Sequence, residues 1–137
     1  MLSIELDVNR LWRKRPADLA FAYTGPLTSL ADARPDEHRK PGYRLADLHS
    51  HSSAALELYL AASIHSWVGL ILDAQPLAFQ SLYFQHGTQQ SLHRDPVYVV
   101  TQPPAHLLAA WVALLHPGIP QGPLLRVRTG ADHPEPR

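Results

Sequence analysis

Leu77-Ala-Phe-Gln-Ser-Leu-Tyr-Phe-Gln-His-Gly-Thr-Gln-Gln-Ser-Leu-His-Arg-Asp95 is the stretch on which the reading of this chain turns. Its first part, Leu77 to Phe84, is short, apolar and aromatic, which is the texture of a strand. Its last part carries a histidine and an aspartate two positions apart. If Leu92 to Val100 is extended, His93 and Asp95 point to one face, because side chains alternate with period two. On a helix the same spacing turns them roughly 200° apart, and they cannot share an ion. Pro96 favours extended geometry at Asp95. An imidazole and a carboxylate on one face, joined by a further histidine, form the facial triad of non-haem iron(II) oxygenases, which leaves coordination positions open. His-x-Asp alone is a weak signal in a chain with nine histidines; its bland reading is a surface pair on a strand.

Upstream, Asp7 to Ala22 reads as a helix with Leu11, Trp12, Leu19 and Ala20 on an apolar stripe, interrupted near Pro16. Thr24 to Gly42 reads as loop, with Pro26, Pro35, Pro41 and the charged run from Asp36 to Lys40. A stronger helix follows. Ser52 or Ser53 caps it, and Leu56, Leu60, Ile64, Trp67, Leu70 and Ile71 recur at helical spacing. A break falls near Ala61 to Ser63, and Asp73 to Pro76 ends the element. Downstream, Ser91 to Thr101, Leu107 to Leu115 and Leu124 to Arg128 are further strand candidates. The turn signals Pro103-Pro104, Pro117-Gly118 and Gly122-Pro123 lie around them. The pattern predicts one α+β domain over 1–137: mainly helix and loop over 1–76, strands over 77–128, and a disordered tail over 129–137. A short strand set with open edges looks unfinished.

The run from about Gly42 to Gly122 resembles the phytanoyl-CoA dioxygenase family. The likeness lies in ordered features: the helix before Pro76, the strand Ala78 to Phe84, the segment Gly87-x-x-Gln90-x-x-His93-x-Asp95, Pro103-Pro104, the strand Ala110 to Leu114, and Gly122-Pro123-Leu124. The resemblance implies an incomplete double-stranded β-helix, or jelly roll. It also implies iron(II) and 2-oxoglutarate as cofactors, and hydroxylation of a small organic substrate coupled to oxidative decarboxylation of 2-oxoglutarate. By position His93 and Asp95 are the first two metal ligands, and Gln80 and Trp111 face the cosubstrate or substrate pocket. Their bland alternatives are a solvent-facing strand amide and a core aromatic.

The chain also departs from that pattern. The family's distal histidine and its 2-oxoglutarate-binding arginine lie well downstream, and fifteen residues follow Gly122. Leu115-His116 stands where an acidic pair is usual, and Arg128-Thr-Gly-Ala131 where a Pro-Gly-Ser-His turn is expected. His133 does not match the distal histidine. The expectation is therefore a truncated, frameshifted or split form with weak hold on both cofactors. Alternatively, it is a non-catalytic dioxygenase-like domain whose sheet a partner chain or a dimer completes.

A competing motif is Asp47-Leu-His49-Ser-His51-Ser. On an extended strand end, two imidazoles two apart chelate zinc or manganese, as in metal-dependent phosphoesterases; the bland reading is a polar loop before a capped helix. His93-Arg-Asp95 also spells the start of a kinase catalytic loop, but the asparagine that such a loop needs is Val100 here. Formal net charge is +0, which gives no attraction to nucleic acid or an anionic membrane. Arg10, Arg13, Lys14 and Arg15 read as one solvated helix face. The absence of cysteine removes disulfides and thiol chemistry and fits a reducing compartment. No signal peptide and no stretch of bilayer-spanning length are read, so the chain is expected to be cytoplasmic.

Overall fold

The structure is a computed structural model that describes residues 2–23, 25–37, 40, 42–85, 99–103 and 106–114. Its first element is helix α1, Leu2–Lys14. Ile4, Val8, Leu11 and Trp12 fall at helical spacing on its buried face. The helix stops earlier than the sequence predicts, and Leu19 to Ala22 are not part of it. Pro16 has no amide to donate and crowds the carbonyl four residues back, and Arg15 adopts a left-handed φ of 50°. That conformation is disfavoured for a side chain with a Cβ. It is held by Arg15 N donating to Leu11 O at 2.7 Å, while the guanidinium donates to Leu30 O and Ala31 O at 3.4 and 3.0 Å. Arg15 is thus a tie between helix and loop rather than one of four cations on a solvated face.

Past that turn the chain becomes strand. β1 (Ala20–Ala22) forms a hairpin with β2 (Thr28–Ser29), with Ala20 opposite Ser29 and Gly25 supplying a φ of 90° in the connection. A 3-10 turn, Leu30–Asp32, is capped by the Ser29 hydroxyl accepting from Ala31 N. β3 (Arg44–Ala46) pairs antiparallel with β1, and β4 (Leu82–Phe84) with β3, giving the order β2-β1-β3-β4. The fold is α+β with a small antiparallel sheet. Of the four strands among the described residues, three precede residue 77.

The core lies between α1 and this sheet. Leu19, Leu30, Tyr43 and Leu45 are essentially sealed from solvent. The Trp12 ring meets Phe21 and Tyr43 edge-on, each at 5.2 Å between centroids, the geometry that ring quadrupoles favour. Two phenols share one acceptor: Tyr43 and Tyr83 both donate to Gln85 Oε1, at 3.0 and 2.6 Å. That side chain joins the core to the end of β4.

Between β3 and β4 lies the helical connection. Ser52 is the N-cap of α2 (Ser53–Tyr59): its Oγ accepts from Ala55 N at 3.1 Å and donates to Asp7 Oδ2 at 2.6 Å, fastening α2 to α1. The expected break falls at Leu60 and Ala61, after which α3 runs Ala62–Leu72 and ends at Asp73, φ 48°. Neither helix contains a buried residue. The apolar stripe is instead exposed, with Trp67 at 66% and Leu70 at 72%. Contrary to the sequence expectation, Ser53–Leu72 meets the length and apolar composition of a membrane span, although two separate helices form it. The single charge at Glu57 does not offset its apolar content.

The strand predicted from Ala78 shrinks to Leu82–Phe84, because its partner β3 is three residues long and the chain then turns at Asp47. Residues 106–114 form no strand, in contrast to the expectation for Leu107 to Leu115. Of Ser91 to Thr101, residues 99–101 are described and are not strand. The remainder of that segment, and the candidates at Leu124 to Arg128 and 129–137, lie outside the described residues.

Candidate functional site

His93 and Asp95, the two residues expected to hold iron, lie outside the described residues. The two expected pocket residues are described. Gln80 is exposed in the irregular stretch between Pro76 and β4, and so sits on no strand. Trp111 is 55% exposed and stacks on Phe84, with 5.5 Å between ring centroids and 22° between planes. It is neither a core aromatic nor on a strand. Stacking brings its segment against the last residue of β4, and Leu114 packs onto the core. Gln80 and Trp111 are thus near opposite ends of the Gln80-to-Phe84 stretch, and no described contact joins them.

The Asp47-Leu-His49-Ser-His51 motif is fully described, and its geometry differs from a strand-end chelate. Asp47 has a left-handed φ of 56°, and Leu48–Ser50 form a 3-10 turn. At three residues per turn, positions two apart diverge instead of sharing a face. His49 Nδ1 lies 2.8 Å from Ser81 Oγ, and its ring stacks on Tyr59 at 4.0 Å with 5° between planes. His51 Nε2 lies 3.9 Å from Asp18 Oδ2. The two imidazoles are therefore committed to different neighbours.

Around His49 the chain builds a joint between the end of β3 and the approach to β4. Asp47 N donates to Ser81 O at 2.8 Å, and Ser81 N donates back to Asp47 Oδ1 at 3.2 Å. The Tyr59 phenol is pushed above its ordinary pKa, first by burial and then by the charge of Asp47. Ser81, His49 and Asp47 are the residue types of a hydrolytic triad. However, Asp47 Oδ1 is 4.0 Å from the same Nδ1 that faces the serine. A triad needs the hydroxyl on one ring nitrogen and the carboxylate on the other, so this arrangement holds the chain in place and does not activate Ser81. Sequence reasoning missed Ser81 and Tyr59 as partners of His49, and no spacing signal marks a contact made across 32 residues.

Among the described residues, no three histidine, aspartate or glutamate side chains gather as metal ligands. The described residues alone do not fit a bound iron. A depression of about 420 Å³ beside α1, lined by Leu6, Asn9, Trp12, Arg13, Arg15 and Pro35, contains none of the residues of either histidine motif. Compared with protein-family models, curated proteins and solved structures, the chain matches none.

Proposed function

We propose that this chain carries two iron ligands, His93 and Asp95, of an iron(II)- and 2-oxoglutarate-dependent dioxygenase acting on a small organic substrate. The observation that carries the proposal is the ordered set of sequence features from Gly42 to Gly122, with His93-x-Asp95 at its centre. An α+β fold with an antiparallel sheet is compatible with it. The jelly roll is the finer form of the same proposal. When bound, iron and 2-oxoglutarate would supply the oxidising power. This chain's own part would be two ligands from one extended segment, with Gln80 and Trp111 at the pocket wall. The resemblance assigns the third ligand and the arginine to no residue of this sequence, so the chain alone is expected to hold the metal weakly.

Anaerobic iron(II) titration of the intact chain, followed by calorimetry, tests this. The proposal expects His93→Ala and Asp95→Ala to remove the binding and His49→Ala to leave it unchanged. Binding lost with His49→Ala and retained with His93→Ala would transfer the assignment to the Asp47-to-His51 motif.

A second reading, a dioxygenase-like domain that binds a partner chain and performs no chemistry, is favoured by one observation. Leu60, Trp67, Leu70 and Ile71 are all more than half exposed on and beside α3, and an apolar patch of this kind marks an interaction surface. On this reading the folded chain binds no iron, and Trp67→Glu with Leu70→Glu reduces its association without lowering its stability. Iron binding that depends on His93 decides for the first reading.

A further inference from the structure

We draw no further inference here: the strongest candidate, the exposed apolar face of α3 around Trp67 and Leu70, carries nothing because nothing in the structure shows whether a second copy, another protein or other residues of this chain cover it.

Discussion

Raising the pH above about 10 should destabilise this chain, and the cause can be traced to two phenols. Tyr43 is 1% exposed. Burial pushes its phenol above the ordinary tyrosine range, with a hydrogen bond from Trp12 as a smaller opposing effect. Tyr83 is pushed further up, by burial first and then by Tyr43 and Glu5. Both donate to Gln85 Oε1, so either phenolate would face an acceptor where its proton now lies. The sign follows from proton counting. Above the unfolded pKa the unfolded chain releases the proton and the folded chain keeps it, so the stabilisation is complete below pH about 10 and is lost as pH rises. Each phenol that stays protonated removes about 1.4 kcal/mol of stability per pH unit. Such a slope weighs heavily on a domain, whose whole stability is typically about 5–15 kcal/mol. The assay is urea unfolding at a series of alkaline pH values, with tyrosinate absorbance recorded in parallel. The midpoint should fall steeply above pH about 10, and less steeply in Tyr43→Phe. Ionisation of all tyrosines near their ordinary pKa, with the urea midpoint unmoved, refutes the reasoning.

Other outcomes follow from the same packing. Leu45, fully sealed in the core cluster that also holds Tyr43, Phe21 and the apolar face of α1, should cost about 2–5 kcal/mol as Leu45→Ala, read from the urea midpoint; a loss below about 1 kcal/mol contradicts the assigned core. Ser52→Ala removes both the cap of α2 and the bond to Asp7, and should cost about 1–3 kcal/mol with reduced helical circular dichroism. Trp67→Glu should leave stability within about 0.5 kcal/mol, because that side chain is mostly in solvent; a large loss would mean that α3 is packed in the folded chain.

The legible parts of the fold were those with strong local chemistry. A hydroxyl before an apolar run of helical period marks the start of α2, and Asp73 to Pro76 marks the end of α3, because capping and chain breaking act within a few residues. The sheet was illegible for the opposite reason. β1, β2 and β3 have three, two and three residues, too few for a period-two pattern to show against helix. Leu19 and Ala20 fit a helical stripe until the left-handed turn at Arg15 separates them from α1. Residues 107–114 have strand texture, yet apolar composition becomes strand only where a neighbour supplies the ladder. At the candidate site, alternation was the geometric argument for both histidine motifs, and for His93 and Asp95 the family resemblance stood beside it. It fails at Asp47, where one positive φ and a 3-10 turn send His49 to Ser81 and His51 toward Asp18. Composition does not encode that turn, whereas Pro96 gives the His93 segment a local bias that the other motif lacks.

The proposed metal assignment is tested most directly by locating a paramagnetic ion on the chain. Manganese(II) accepts the nitrogen and oxygen ligands proposed for iron, and it broadens the amide resonances of nearby residues in a nitrogen-labelled sample. The proposal predicts that Leu92, His93, Arg94 and Asp95 broaden first at substoichiometric manganese, with Asp47 to His51 unaffected. Broadening centred on Asp47 to His51, or spread evenly over the surface acids, contradicts it.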